Sequence, residues 1–271
     1  HGSGWHLDRR RFDVLLLDQV VASGVDVRRG ERFAGCETTA GERRFRFVRS
    51  DSSVKTVRAR YAVDASGPTA VLARGVGARR LFADRLFCAY GFFQLADSVS
   101  LPRLTMLEAV DVGWWYAARL PNREVVVALA SDSETVRQFA ASDATAWQAL
   151  LRGTRHIGPA LAESTWIEGS LRVAPAPSFV LDRTAGDGWL AAGDAASAYD
   201  PISAQGIYKA LNDGLLAANA IVADLGGDAA ALESYHASVK RRFEQYLVNR
   251  NYFYSIERRF PASPFWRRRQ H

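Results

Sequence analysis

The sequence predicts a mixed α/β protein, an α/β fold with an α+β portion, and three observations carry that prediction. Near residue 190 a short apolar run, Gly188-Trp189-Leu190-Ala191-Ala192, ends in Gly193-Asp194 and, past Asp200-Pro201, enters a helical run from Ile207 to Leu225. That is the strand, turn, helix order of a sheet covered by helices. Between residues 86 and 131, four strand-like segments follow one another with turn residues between them, as in an antiparallel sheet. Helical patterns open and close the chain. With 271 residues and 48% apolar content, it can bury a substantial core as one large domain or two.

Taken in order, residues 6–23 read as an amphipathic helix with Asp8 as N-cap, Phe12, Leu15, Leu16 and Val20 along one face, and Gly24 closing it. Residues 25–33, 43–49 and 54–65 alternate or carry short β-branched runs, separated by Gly41 and Asp51-Ser52-Ser53, and are predicted as a strand and a hairpin. The last of these ends in Asp64-Ala65-Ser66-Gly67-Pro68. Small residues there would let a ligand approach the backbone, and a plain β-turn accounts for them equally well. Strands are expected at 86–95, 103–110, 113–120 and 124–130, with turns at Asp111-Val112-Gly113 and Pro121-Asn122-Arg123. Helices follow at 145–152 and near 159–162, and the chain returns through 166–173 and 179–181. After Gly226-Gly227, Asp228 can cap a helix striped by Leu232, Tyr235, Val239, Phe243, Tyr246 and Leu247. The tail interleaves Arg250, Arg258, Arg259, Arg267, Arg268 and Arg269 with Tyr252, Phe253, Tyr254, Phe260, Phe265 and Trp266, a pattern that could bind nucleic acid or a membrane surface. It reads as packing over the domain with a solvated arginine end, or as a docking tail. No nucleic-acid-binding motif accompanies it, so no nucleic-acid partner is expected.

Composition removes several classes. Cys36 and Cys88 make neither a disulfide framework nor a metal spacing, and His1, His6, His156, His236 and His271 are scattered, so no metal site is expected. No apolar run approaches the roughly 20 residues of a membrane span, and no secretory signal is visible. The expected location is the cytoplasm. The net charge of +6 comes almost wholly from arginine, since Lys55, Lys209 and Lys240 are the only lysines. It reads as a compositional bias or as attraction for anionic cofactors or an acidic partner.

The stretch from Gly188 to Ile207 has the chemistry of a cofactor site. Gly193 removes a side chain where the backbone must come near a ligand, and Asp194 places an acceptor at the carboxyl end of a strand. A chain of hydroxyls would suit it. Pro201 stiffens the next turn, and Ala204-Gln205-Gly206 leads into a helix whose first amides lack internal partners and favour an anion. The whole run, G-D-A-A…D-P…G-Q-G with Ala204 before Gln205, resembles the second flavin-binding signature of the glutathione-reductase-like flavoproteins. These include aromatic hydroxylases, flavin-dependent halogenases and geranylgeranyl reductases. The resemblance implies FAD as cofactor, with Asp194 on the ribityl chain, Gly193 at the close approach and Pro201 beside the reactive edge of the isoalloxazine. Gln205, Gly206 and Ile207 would offer backbone contacts to its pyrimidine side. Ala204 departs from the pattern, where glycine is commoner.

Two further stretches resemble the same family. The stretch Trp5-His6-Leu7-Asp8-Arg9-Arg10-Arg11-Phe12-Asp13…Leu16 is similar to its R-x-x-F/L-D-x-x-L element, which implies an arginine at the pyrophosphate. Arg9 best fits that spacing, and Arg10 and Arg11 stay open. Ala65-Ser66-Gly67 is similar to the family's A-[ST]-G, which implies contact with the nucleotide. No segment reads strand, G-x-G-x-x-G, helix: Gly2-Ser3-Gly4 has Leu7 where the third glycine belongs, and Gly75-Val76-Gly77 is followed by Arg80.

The expectation is therefore a truncated glutathione-reductase-like FAD-binding fold lacking its N-terminal βαβ unit. Residues 1–80 and 180–226 would form a discontinuous FAD-binding domain, 81–179 an antiparallel substrate-domain sheet, and 227–271 a C-terminal helix and basic, aromatic tail. Gly113-Trp114-Trp115-Tyr116…Leu120-Pro121 resembles G-W-W-Y-x-x-x-L-P of flavoprotein maturases, which oxidise side chains of a partner protein, more than the halogenase W-x-W-x-I-P. A packed aromatic strand explains Trp115 and Tyr116 without chemistry. The resemblance implies a flavin-dependent monooxygenase acting through a flavin hydroperoxide on an electron-rich, small-molecule or peptidyl substrate, with a reductase or NAD(P)H as electron source. A flavin-dependent halogenase and a non-catalytic binding fragment are the alternatives. No catalytic acid or base is singled out.

Overall fold

The structure is a computed structural model that describes residues 6–39, 42–99, 101, 104–140 and 144–270. Gly2-Ser3-Gly4, the turn expected at Gly41 and the expected strand start at Arg103 lie outside these residues. In chain order the elements are α1 (Arg9–Ala22), β1 (Glu31–Thr39), β2 (Glu42–Arg49), β3 (Val54–Arg58), β4 (Ala62–Asp64), α2 (Val71–Gly75) and β5 (Arg80–Gln94). There follow β6 (Met106–Val110), β7 (Gly113–Arg119), β8 (Glu124–Ser131), α3 (Ser133–Ala140), α4 (Ala144–Arg152), α5 (Ile157–Ala160), β9 (Thr165–Trp166) and β10 (Arg172–Leu181). Last come β11 (Ala185–Gly186), β12 (Trp189–Ala191), β13 (Ser197–Ala198), α6 (Gly206–Leu225), α7 (Ala231–Ser255) and α8 (Pro264–Arg267).

These elements form two compact units. The first comprises His1–Val27, Leu86–Pro175 and Phe253–His271; the second comprises Arg28–Arg85 and Ala176–Tyr252. In the first unit, β6, β7, β8 and β5 form an antiparallel sheet as the turn spacing predicts, with Trp115 opposite Leu129 and Ala89 opposite Leu129 on the far side. Its core is aromatic. Trp115 and Trp147 meet edge to face at 5.0 Å, and the Trp147 indole N–H donates to the Ala89 carbonyl at 3.1 Å. Buried Trp115 thus has the packing role that the sequence allowed it.

Two sequence expectations for this unit are corrected. In α1 the Asp8 carboxylate caps the helix by accepting the Arg11 amide, but no residue of α1 is buried. Its apolar residues 12, 14–17, 20 and 21 encircle the helix instead of forming a stripe, so the predicted face is not a packing face. The arginine end of the tail is not solvated throughout: Arg269 is buried, and Arg268 and Arg269 each reach Asp132 at 2.7 Å. Phe265 and Trp266 are buried too, and the Trp266 indole N–H donates to the Val110 carbonyl at 2.8 Å. The tail therefore packs against the β6–β7 turn.

The second unit contains the antiparallel meander β1-β2-β3 and a small sheet ordered β11-β12-β4, in which β4 and β12 are parallel. The strand expected at 25–33 begins only at Glu31, after Gly30 takes a φ of +73° that breaks extended backbone. The segment expected as one strand over 54–65 is two. β3 pairs antiparallel with β2, whereas β4 pairs with β12, more than a hundred residues away. On α7, Tyr235, Val239, Phe243 and Tyr246 are buried along the predicted stripe. α6 buries Lys209, Asp213, Ala217 and Ala220, a face that mixes two charges with small residues.

Candidate functional site

The parallel pair fixes the site. Leu190 lies opposite Val63 and Ala191 opposite Asp64, and the Ala192 amide extends the ladder by donating to the Asp64 carbonyl at 2.9 Å. The carboxyl ends of the two strands therefore emerge side by side, one carrying Ala65-Ser66-Gly67 and the other Gly193-Asp194. Ends of this kind are where α/β sheets hold ligands.

At the β4 end a buried carboxylate organises the turn. One oxygen of Asp64 accepts the Ser66 amide at 3.0 Å and the Ser66 hydroxyl at 2.6 Å, and the other accepts the Ala73 amide at 2.8 Å. The Ser66 hydroxyl also accepts the Val71 amide at 2.8 Å, which ties the turn to α2. Ala65 and Ser66 are left exposed. A cavity of about 340 Å³ opens beside them, lined by Phe33, Phe45, Phe47, Tyr61, Asp64, Ala65 and Ser66 among others. The signal for Asp64 in the sequence is its place before a small-residue turn, where an acidic residue is a known turn former.

At the β12 end, Gly193 has a φ of +60°, a left-handed conformation that glycine adopts without strain. Its amide donates to Asp213 Oδ2 at 3.2 Å. Asp194 follows with 44% of its side chain exposed, while Ala191 to Gly193 and Ala195 to Ala198 are buried. Among residues 191 to 198 it is the one that is not buried. Beyond it the Asp200-Pro201 turn is pinned from within: the buried Asp200 carboxylate accepts the Ile202 amide at 3.0 Å, and the Asp200 amide donates to the Tyr246 hydroxyl at 2.8 Å. Arg250, on α7, reaches both Asp200 and Asp84. Pro201 is exposed. Ala204 has a φ of +52°, so the position where the resembled signature favours glycine is left-handed here, with alanine tolerating it.

The start of α6 completes the arrangement. No side chain caps it, Gln205 and Gly206 are exposed, and a Cβ built on Gly206 would meet nothing within 4 Å. The amides of its first turn therefore present donors and the positive end of the helix dipole. One turn further in, Lys209 is buried, with Nζ 3.5 Å from both Asp194 Oδ1 and Asp213 Oδ2 and 5.1 Å from the Tyr199 ring centroid. Asp213 also pairs with Arg242 at 2.8 Å. Burial pushes the Lys209 ammonium below the usual lysine range, and the two carboxylates partly restore it.

Of the residues singled out by sequence, Gly193, Asp194, Pro201, Gln205, Gly206 and Ile207 lie in the second unit with Ala65, Ser66 and Gly67. Arg9 belongs to the first unit, is exposed, and pairs with Asp13 at 3.2 Å. The pattern gives Lys209 and Asp213 no site role, and it places Tyr246 in the helix stripe and Arg250 in the basic tail. An i, i+4 Lys–Asp pair on a helix reads as a solvated ion pair, and only packing shows that this one is buried.

A glycine turn with a partly exposed carboxylate, beside an uncapped helix start at the carboxyl edge of parallel strands, is an arrangement at which α/β proteins hold cofactors. Comparison with known proteins identifies the cofactor: residues 6–250 match the FAD binding domain family, and the chain belongs to it. Over 268 residues it is 29% identical to LodB of Marinomonas mediterranea, whose name assigns it to the FAD-dependent oxidoreductases; the match covers 99% of this chain and 72% of LodB. The myxobacterial chondrochloren halogenase CndH superposes with a TM-score of 0.89 at 22% identity, over 99% of this chain and 64% of CndH. The peptidyl tryptophan dihydroxylase QhpG superposes with a TM-score of 0.77 at 25% identity, over 97% of this chain and 59% of QhpG. The chain thus spans between about half and three-quarters of the length of the relatives it matches. Among the described residues, no helix is long and apolar enough to cross a membrane.

Proposed function

We propose that the protein is a flavin-dependent monooxygenase that oxidises an electron-rich side chain of a peptidyl substrate, with FAD held at the carboxyl ends of β4 and β12. The observation that carries this reading is the pairing of outward-facing Asp194 with the uncapped start of α6. A carboxylate suits a chain of sugar hydroxyls, and helix-start amides suit the polar, anion-bearing side of a flavin ring. The donor set therefore fits FAD. In this reading Asp194 accepts from the ribityl hydroxyls, and the left-handed Gly193 keeps the backbone clear of the ligand. The Gly206 and Ile207 amides would serve the pyrimidine side together with that of Gln205, which here donates to Ser203 Oγ at 3.4 Å; Pro201 would shape the reactive edge, and Ala65, Ser66 and Gly67 would border the nucleotide. Bound FAD would supply the redox chemistry with oxygen, with electrons from NAD(P)H or a reductase.

The likeness to QhpG, which acts on peptidyl tryptophan, supports the peptidyl substrate class. The likeness to CndH supports the fold alone. β4 ends the small sheet among the described residues, and Val63 on it is 47% exposed.

The test is direct. The full chain is purified with FAD, and Asp194→Ala is expected to release the flavin; unchanged flavin absorbance in the purified variant refutes the site. Reduced protein is then given oxygen and a tryptophan-containing peptide with and without chloride or bromide. Gain of oxygen mass independent of halide supports the monooxygenase. Gain of halogen mass replaces that reading with a halogenase.

A further inference from the structure

The buried ion cluster behind the Gly193–Asp194 turn has no part in the roles assigned above, and its geometry gives it one. Lys209 Nζ approaches one oxygen of Asp194, Oδ1, at 3.5 Å, and 44% of the Asp194 side chain stays exposed. Lys209 is not free to turn away. Its side chain is 6% exposed, and Asp213, four residues on along the same helix face, draws it from the other side at the same 3.5 Å. Asp213 is fixed in turn by Arg242 from α7 and by the amide of Gly193. One carboxylate thus holds the backbone of the turn at Gly193 while steering the lysine that holds the side chain at Asp194. Two cations face two carboxylates here, so removing either partner of buried Lys209 and Asp213 would leave an uncompensated buried charge.

We propose that Lys209 is a positioning residue: anchored by Asp213 and Arg242, it holds the Asp194 carboxylate in one rotamer with an oxygen turned outward for the ribityl hydroxyls of FAD. This deepens the flavin reading and rests on it. An unanchored aspartate on this turn would have to be ordered when FAD binds, so losing the lysine lowers affinity without removing any contact to the ligand. A lysine that merely filled space would affect the stability of the apoprotein and leave FAD affinity independent of what stands at position 194.

The experiment is a double-mutant cycle read as FAD dissociation constants by flavin fluorescence, on the full chain, with urea unfolding of each apoprotein alongside. Lys209→Met is expected to weaken FAD about tenfold, within the range of coupling between contacting residues. Lys209→Arg is expected to restore most of that affinity. In an Asp194→Asn background, Lys209→Met should cost no further affinity. If Lys209→Met does not fold, Lys209→Met with Asp213→Asn removes the buried carboxylate at the same time while keeping an acceptor for the Gly193 amide, and the same loss is expected. The proposal is overturned if Lys209→Met leaves the dissociation constant unchanged, or if its effect is equally large with asparagine at 194. The flavin reading itself fails on a different result, that Asp194→Asn binds FAD as tightly as the unsubstituted protein.

Discussion

The strongest single test of how the cofactor turn is held is Tyr246→Phe. Tyr246 lies on α7 with 2% of its surface exposed, and its ring stacks on Tyr199 at 4.1 Å between centroids. Phenylalanine keeps that packing and removes only the hydroxyl. The hydroxyl joins two buried partners, the Ser178 hydroxyl at 2.6 Å and the Asp200 amide at 2.8 Å. Asp200 and Ser178 are both wholly buried, so water cannot replace the lost oxygen. An unsatisfied buried group costs about 1–3 kcal/mol. The amide is fixed by the backbone, whereas the serine hydroxyl can rotate, so the expected loss is about 2–4 kcal/mol in total. That is a large part of the roughly 5–15 kcal/mol that holds a domain folded. Urea unfolding of the second unit can be followed through Trp189, the one tryptophan in its sequence segments. Hydrogen exchange should show the Asp200 amide losing protection ahead of α6. A shift below about 0.5 kcal/mol, the level of an ordinary surface substitution, would mean that the Asp200-Pro201 turn is held by other contacts.

Other outcomes follow from the same geometry. Gly193→Ala forces a left-handed alanine at φ +60° and is expected to destabilise the apoprotein by about 1–2 kcal/mol, measured by urea midpoint; an unchanged midpoint refutes the conformational argument. Burial and the hydrogen bond to Asp224 push the Tyr61 hydroxyl up to about 12, and burial raises Tyr235 and Tyr246 as well. These groups stay protonated in the folded chain where an unfolded tyrosine ionises at 10.0, so their stabilisation is complete below pH 10 and is lost as pH rises from 10 towards about 12. Tyr61→Phe should flatten that alkaline fall in the unfolding midpoint, and an unchanged slope would count against it. Trp266→Ala empties a buried site and frees the Val110 carbonyl; about 3–5 kcal/mol is expected, read as early unfolding of the first unit and tryptic loss of the tail.

What was legible in the sequence was local. The strand, glycine turn and helix from Trp189 to Leu225 can be read because Gly193, Pro201 and the alanine-rich run each constrain their own backbone whatever lies around them. Three antiparallel strands of the first unit, β6, β7 and β8, are legible for the same reason, since short turns join sequential neighbours, whereas β5 pairs with β8 across a long connection. What failed was long-range. Nothing local in Tyr61-Ala62-Val63 says that β3 must stop and a second strand pair with Trp189-Leu190-Ala191, because the partner is remote in sequence. The tail arginines likewise read as solvated because Asp132, their carboxylate, is more than a hundred residues away.

The site divides along the same line. The residues that would face a ligand, Gly193, Asp194 and Gly206, are small or exposed and declare themselves by type. Those that hold them, Asp64, Lys209, Asp213 and Tyr246, are ordinary residues in ordinary helical or strand positions, and only their burial gives them a part. Asp64 and Asp213 do the same work at the two strand ends. Each is a buried carboxylate that accepts the backbone amides of the turn it supports, at Ser66 and Ala73 in one case and at Gly193 in the other. A buried carboxylate costs several kcal/mol unless it is satisfied, and here the donors that satisfy it include the backbone of the turns themselves. Opening either turn would therefore strip hydrogen bonds from a carboxylate with no water to replace them. On this argument, the rigidity of the two strand ends comes from the acids beneath them more than from the glycines that the signature displays.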